Sequence, residues 1–305
     1  MKKRRNLPLA AGLLMLAFFL LAALAGPEFA PYDVNESKKI DHIIDEEGNR
    51  KLVSSPFPPS EQHPFGTDKW GYDILTLLLH GAKYTVFTVI GVALLRLVIG
   101  AALGIFQGIR TKKTGTKHMN ISLFSGIPIF IIIYFIMLGI NIEPKLSAFQ
   151  LTIIQGALLT ILGINGVYNV IFNKTLELKK MAYVEAAKTL GGNNAHLSQK
   201  HIFPSLRADF SAIFVNECIQ VLHIIGQLGI FNLFLGGTEK QYFPTIYLSI
   251  TNEWSGLIGQ SRSFLYHSQW IILFPLAAYV LLLVSFYLLS AGLKDRKRLN
   301  RPTHI

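Results

Sequence analysis

Residues 84–109 read YTVFTVIGVALLRLVIGAALGIFQGI, an apolar stretch with a single charged side chain, Arg96. An α-helix rises about 1.5 Å per residue, so roughly 20 such residues cross the ~30 Å hydrocarbon core of a bilayer. The stretch is long and apolar enough to form a transmembrane helix, and it sets the fold class of the chain.

Five further stretches share this length and apolar character: Leu7–Ala25 and residues 119–140, 149–172, 208–235 and 270–293. The 305 residues are 51% hydrophobic and only 15% charged, whereas soluble domains carry about 25% charged residues. The sequence predicts an all-α membrane protein with six transmembrane helices. Residues 1–83 form a first helix with a long outer loop, and residues 84–305 form a five-helix core.

The first apolar stretch also has features of a secretory signal peptide, namely basic residues 2–5 before it and small residues 23–25 at its end. Its uninterrupted apolar run is longer than the roughly 7–15 residues typical of a signal peptide. We expect a retained helix. The orientation of the next five helices is the same in either case.

Lys and Arg are distributed unequally between the two sides of the membrane. The segments on the N-terminal side hold 19 of the 29 basic residues and three acidic ones, and the opposite segments hold 9 basic and 13 acidic residues. Basic residues concentrate in short cytoplasmic loops, so both termini are predicted to be cytoplasmic. The net charge of +11 therefore reflects topology and contact with membrane lipid, and nucleic acid is not an expected partner.

The longest cytoplasmic segment, residues 173–207, reads NKTLELKKMAYVEAAKTLGGNNAHLSQKHIFPSLR. Good helix formers predict a helix over residues 176–190, which Gly191 is expected to end in a left-handed conformation. One of the two asparagines at 193–194 can cap a second, short helix, and Pro204 is expected to limit that helix. This arrangement would present a rigid unit to a soluble partner.

Within this segment, the residues at 183–187, 190–191 and 201–204 resemble the "EAA" loop of permease subunits of binding-protein-dependent ABC importers. In that family a short coupling helix docks into a groove of the ATPase subunit. The resemblance implies a type I importer permease fold with a coupling helix at residues 193–201. The ATPase-coupling residues that it implies are Glu185, Ala186, Ala187, Gly191, Asn193, His196, His201 and Pro204.

A second resemblance lies before the second helix. The residues His63-Pro64-Phe65-Gly66-Thr67-Asp68, Gly71, Asp73, Leu78, Gly81 and Ala82 are similar to a signature of the C-type permease of oligopeptide, dipeptide and nickel importers. Asp68 is expected to cap the helix that leads toward Gly81. Tyr72 stands where that family usually has Arg, and residues 118–125 lack its usual charges. The substrate therefore stays open.

Polar side chains also occur inside two predicted membrane helices, where charge is costly and usually faces protein or water. Arg96 lies halfway along the second helix. In the fifth, Asn216, Gln220, His223 and Gln227 share one face at i, i+4, i+7 and i+11, with Glu217 at its edge. Either these six residues line a translocation path next to a partner permease, or they join helices of one subunit by hydrogen bonds.

A further hypothesis pairs Arg96 with Glu217, and the relative rotation of their helices, which the sequence does not give, decides whether the pair forms. Counted from the cytoplasmic ends of their helices, they differ in depth by roughly 5 Å, and pairing avoids two isolated buried charges. His223 has no second ligand at metal-binding spacing on its helix, so no metal site or cofactor is expected.

Catalytic motifs are missing from the sequence. It contains no G-x-x-x-x-G-K-[ST] phosphate loop and no H-E-x-x-H or G-x-S-x-G motif, so no enzymatic activity is expected. The resemblance implies a multi-pass protein of the bacterial inner membrane. Its implied partners are a B-type permease, two ABC ATPase subunits and an extracytoplasmic substrate-binding protein. Two alternatives remain: import of nickel or another small solute, and a non-transporting assembly or regulatory role.

Overall fold

The computed structural model describes residues 6–44, 50–111 and 126–299, and these are mostly helical. Five described segments are long and apolar enough to cross a membrane, which makes the chain a multi-pass membrane protein. The α-helices are α1 (Leu7–Ala25), α2 (Ile74–Arg110), α3 (Ile129–Asn141), α4 (Ala148–Lys179), α5 (Ala182–Thr189), α6 (Asn194–Leu197), α7 (Phe203–Ile230), α8 (Trp254–Ser261) and α9 (Trp270–Leu299).

The third predicted membrane helix, residues 119–140, begins outside the described residues. Its described part is α3, whose 13 residues span roughly 20 Å and are too few to cross the bilayer core alone. The predicted count of six transmembrane helices is therefore not tested by the described residues.

Two antiparallel hairpins were missing from the predicted all-α fold. Strand β1 (Ile40–Ile44) pairs with β2 (Arg50–Ser54), and β3 (Thr238–Tyr242) pairs with β4 (Thr245–Ser249). Both hairpins lie in segments between membrane helices. A hydropathy window of about 19 residues averages over such five-residue strands and cannot show them.

Helices α2 and α4 pack closely and run parallel. A Cβ atom on Gly100 would lie 2.8 Å from the Val167 side chain, and one on Gly104 would lie 3.0 Å from that of Ile171. Gly108 makes the same kind of approach to Thr175, at 2.7 Å. Glycines four residues apart allow two membrane helices to approach this closely.

Helix α1 packs antiparallel against α9 and contributes to the core. Asn6 caps α1, and its Nδ2 donates a hydrogen bond of 2.6 Å to the Gly292 carbonyl. A Cβ atom on Gly12 would lie 2.8 Å from the backbone nitrogen of Leu289. The Phe19 ring is buried against Trp254, with ring centroids 5.5 Å apart.

Candidate functional site

The signature residues around His63 attach the segment between α1 and α2 to the start of α2. His63 Nδ1 lies 3.0 Å from Asp73 Oδ1, and both side chains are buried. Asp73 Oδ2 accepts hydrogen bonds from the Thr76 backbone N–H at 2.8 Å and hydroxyl at 2.9 Å. Asp73 therefore caps α2, and the prediction that Asp68 does so is wrong.

Asp68 instead closes the turn that precedes α2. Its Oδ1 accepts hydrogen bonds of 2.9 Å from the backbone N–H groups of Trp70 and Tyr72. Gly71 has φ of +86°, and a Cβ atom there would lie 2.2 Å from the Lys38 carbonyl oxygen. Only glycine combines this conformation with this close approach, so the signature holds two parts of the α1–α2 connection together.

The second half of the signature, from Leu78 to Ala82, contacts α8 and the residues just before it. A Cβ atom on Gly81 would lie 1.8 Å from the carbonyl oxygen of Asn252. The Trp254 indole N–H donates to the Leu78 carbonyl at 2.9 Å, and its backbone N–H donates to the Thr85 hydroxyl at 3.0 Å. These contacts explain why glycine stands at position 81.

Arg96 is buried where α2, α4 and α7 meet. Its Nη1 lies 3.1 Å from Glu217 Oε2, and the two side chains are 2% and 12% exposed, so the predicted ion pair is confirmed. Nε and Nη2 both donate to the Leu159 carbonyl, at 3.0 and 2.5 Å. A Cβ atom on Gly163 would lie 2.0 Å from Arg96 Cζ, so a glycine makes room for the guanidinium.

The polar face of α7 formed by Asn216, Gln220, His223 and Gln227, here called the α7 stripe, is exposed on this chain. Between residues 216 and 230, the exposed positions of α7 are Asn216, Gln220, His223, Gln227 and Ile230. Ser290 donates a 3.1 Å hydrogen bond to Asn216 Oδ1. Among the described residues, the other three stripe side chains have no hydrogen-bond partner. Of the six predicted polar residues, Arg96, Glu217 and Asn216 therefore join helices within this chain, whereas Gln220, His223 and Gln227 do not.

The loop after α4 departs from the predicted single helix over residues 176–190. Helix α4 continues to Lys179, the backbone is extended at Met181, and α5 starts at Ala182. Lys179 Nζ donates to the carbonyls of Gly108, Ile109 and Thr111 at the end of α2. Neither Gly nor Pro marks this break, which coincides with a tertiary contact.

The turn after α5 is as predicted. Gly191 has φ of +90°, in the left-handed region, and Asn193 caps α6 by accepting a 2.8 Å hydrogen bond from the His196 backbone N–H. The prediction for Pro204 is wrong, because the helix continues from residue 194 to 230. The residues 198–202 are π-helical, with the Phe203 N–H bonded to the Ser198 carbonyl. The wider π turn accommodates a proline, which lacks an N–H.

Five of the eight predicted coupling residues surround one open cleft of about 570 Å³. Leu190, which was not among the predicted coupling residues, also lines the cleft, and its side chain is 88% exposed. Glu185, Ala186 and Pro204 are exposed but lie outside this lining. The cleft is lined by Ala187, Leu190, Gly191, Gly192, Asn193, His196 and His201.

Residues 100–299 match the family described as binding-protein-dependent transport system inner membrane component. The chain belongs to this family. The matched range includes α5, the cleft and all of α7, together with the end of α2, α3, α4, α8 and α9. Arg96 and the signature at residues 63–82 precede the matched range.

The permease is also similar over most of its length to curated peptide-transport permeases. It is 27% identical to the dipeptide transport system permease protein DppC of Bacillus subtilis, over 84% of this chain and 80% of that protein. The oligopeptide permease OppC of the same organism is 26% identical, over 96% and 85%. The probable D,D-dipeptide permease DdpC of Escherichia coli K12 is 26% identical, over 92% and 84%.

Three features of the permease have no visible signal in the sequence. The need for glycine at position 163 becomes evident only from its contact with Arg96. Lys174 of α4 forms an ion pair with Asp209 of α7, and Lys179 caps the end of α2. Each contact joins residues at least 35 positions apart, and its partner depends on how two helices are rotated.

Proposed function

We propose that this chain is one of two permease subunits of an ATP-driven peptide importer. Membership of the family and similarity to peptide-transport permeases support this proposal. The second subunit is a B-type permease, two separate ABC ATPases supply the energy, and an extracytoplasmic binding protein delivers the peptide. This chain forms part of the transmembrane path and does not itself hydrolyse ATP.

The observation that carries the proposal is the exposed α7 stripe. Polar side chains at membrane depth are costly to expose to lipid, so Gln220, His223 and Gln227 face water, substrate or the second permease. Amide groups both donate and accept hydrogen bonds, as the backbone of a peptide does. We therefore assign the α7 stripe, with the Arg96–Glu217 pair at its edge, to the wall of the translocation path.

The continuous helix from residue 194 to 230 provides the mechanical link to the ATPases. We propose that α5, the cleft and α6 dock on an ATPase subunit. When ATP closes the ATPase dimer, the coupling helices approach each other. Because α6 continues into α7, its displacement reaches the α7 stripe, and the cavity alternates between inward and outward access.

We also infer six transmembrane crossings with both termini cytoplasmic. Helices α2 and α4 run parallel, so the chain between them must recross the membrane, and α3 lies in this connection. Reporter fusions after residues 111, 146, 235 and 299 test this topology. Activity of a cytoplasmic reporter is expected after residues 111 and 299, and activity of an extracytoplasmic one after residues 146 and 235.

Uptake measurements test the role of the α7 stripe. In a strain without the natural gene, Gln220→Leu and His223→Leu are expected to lower uptake of labelled di- and oligopeptides at least tenfold, without loss of assembly. Gln107→Leu is the matched control, since Gln107 is an exposed polar residue on α2 away from the stripe. Normal uptake by both stripe variants would refute the assignment, and accumulation of nickel without peptide would favour the alternative substrate.

Co-purification tests the coupling assignment separately. Leu190→Gln removes the most exposed apolar side chain of the cleft, and buried apolar anchors carry much of the binding energy at interfaces. We expect less ATPase to co-purify. Thr189→Gln is the control, because Thr189 is exposed and adjacent but does not line the cleft. Equal ATPase recovery from the two variants would place the docking surface elsewhere.

A further inference from the structure

A second, larger groove lies between α2 and the start of the continuous α6–α7 helix. Its volume is about 1010 Å³, near the upper end of the range usual for small-molecule sites. We call it the leaflet groove. Its described lining runs along α2 from Leu97 to Arg110, and from Asn193 at the start of α6 to Phe210 of α7.

The groove has an apolar wall and a polar end. Val98, Phe106 and Phe203 line it and are 58%, 53% and 47% exposed on this subunit. At the end of α2, the Arg110 guanidinium lies 3.8 Å from the centre of the Phe106 ring. The amide side chains of α6 and its neighbours lie in the same lining, which contains no acidic residue. A ligand with an apolar tail and an anionic head fits this distribution.

The length of the groove matches one membrane leaflet. From Leu97 to Arg110, α2 rises 13 residues, or roughly 20 Å. Half of a bilayer including its head groups is also about 20 Å thick. The charged end lies next to the coupling loop, on the side that we propose is cytoplasmic, where anionic lipids attract basic side chains.

We propose that the leaflet groove binds one anionic phospholipid. Its acyl chains lie along the apolar face of α2, and its phosphate group binds Arg110 and nearby amide groups. The lipid thereby fills the space between α2 and the coupling helix. The described groove lining contains no acidic residue that could pair with Arg110. A purely apolar protein segment in the groove would not supply one either, whereas a phospholipid does.

Lipid titration tests this site. The full chain, purified in detergent with its co-purifying subunits, is titrated with phosphatidylglycerol or phosphatidylcholine and examined by native mass spectrometry. Arg110→Gln is expected to weaken binding of phosphatidylglycerol about fivefold, the effect of one surface charge. Binding of phosphatidylcholine is expected to be unchanged. Arg296→Gln, at an exposed arginine at the end of α9, is expected to leave both unchanged.

A second pair of variants separates the groove from the surrounding lipid. Ala102→Trp fills the groove and is expected to remove the bound phospholipid, whereas Leu103→Trp adds the same ring on an exposed position outside the lining. Equal lipid retention by these two variants, or by wild type and Arg110→Gln, would overturn the proposal. So would a photo-crosslinker at residue 102 that attaches to a polypeptide and not to phospholipid.

Discussion

At the scale of single residues, the permease depends on one buried arginine. A charged side chain inside the membrane is costly unless it is paired. Arg96 has two kinds of partner, the Glu217 carboxylate on α7 and the Leu159 carbonyl on α4. The guanidinium is planar and can reach both at once, so one side chain joins three helices.

Gly163→Ala is predicted to disrupt this junction. The added Cβ atom would lie 2.0 Å from Arg96 Cζ, so the guanidinium must leave the Leu159 carbonyl. We expect lower thermal stability in detergent and loss of uptake. Gly156→Ala on the same helix is the control, because among the described residues its Cβ atom would meet only Val92, at an ordinary 3.6 Å. Equal stability of the two variants would contradict the prediction.

A double-mutant cycle on Arg96 and Glu217 is predicted to show strong coupling. Removing one member of a buried ion pair costs about 3–5 kcal/mol, whereas replacing both by apolar residues is often nearly neutral. Arg96→Met and Glu217→Met should each lower the free energy of unfolding, and the double variant should recover most of the loss.

If the losses of unfolding free energy in the two single variants simply added up in the double variant, the ion pair would contribute nothing to stability. Exchanging the two charges is a weaker test, because Arg96→Glu would place a carboxylate against the Leu159 carbonyl. Unfolding in detergent, followed by circular dichroism, measures stability, and peptide uptake measures function.

At the scale of elements, the C-terminal end of α4 is held by two neighbouring helices. Lys174 of α4 forms an ion pair with Asp209 of α7, and Lys179 donates to three carbonyls at the end of α2. Gly191 is the turn that sets α5 and α6 around the cleft. We expect this turn to decide whether the proposed docking surface forms.

Gly191→Val is predicted to impair docking, whereas Gly191→Asn is expected to preserve it. Apart from its two chain neighbours, no described residue has an atom within 4 Å of a Cβ at this position, so the φ of +90° is what opposes substitution. A left-handed conformation costs a β-branched residue at least about 1–2 kcal/mol, and Asn tolerates it better. The amount of co-purified ATPase measures the effect, and equal recovery from both variants would contradict it.

At the scale of the whole molecule, buried carboxyl groups stabilise the segments between the membrane helices. Glu253 is fully buried and caps α8, accepting a 2.9 Å hydrogen bond from the Ser255 N–H. Burial raises the pKa of Glu253 to about 7, and burial likewise raises the pKa of Asp68 to about 7. Both groups lie outside the membrane-spanning helices.

The stability of the permease is therefore predicted to fall as the pH rises from about 4.5 to 7. In this range the native state keeps these protons, whereas in the unfolded chain both carboxyl groups, with ordinary pKa values of about 4, have lost them. Fewer bound protons in the unfolded state mean that stability decreases with pH. Thermal unfolding in detergent between pH 5 and 8 measures this slope.

Glu253→Gln and Asp68→Asn are each expected to reduce the slope, because the neutral amide has no proton to lose. Glu239→Gln, at an exposed carboxylate on β3, is the control and should leave it unchanged. A stability that increases with pH across this range would contradict the prediction, as would a slope unaffected by the first two substitutions.

Local features of this chain were predictable from the sequence. Apolar runs long enough to cross a bilayer identify the membrane helices, and Gly191 and Asn193 act within their own turns. The similarity at residues 183–204 likewise identified the family. These features were predictable because each depends on the chemistry of a few neighbouring residues or on the average polarity of one segment.

Only the tertiary structure decided how these elements meet. The break after Lys179, the passage of α6 into α7 through Pro204 and the role of Gly163 all depend on which helix faces which. The similar membrane depth of Arg96 and Glu217 was predictable from the sequence. Whether the two side chains face each other depends on how their helices are rotated, and hydropathy gives no information on that rotation. The leaflet groove likewise combines residues from α2 and α6–α7, whose adjacency arises from packing and not from local sequence.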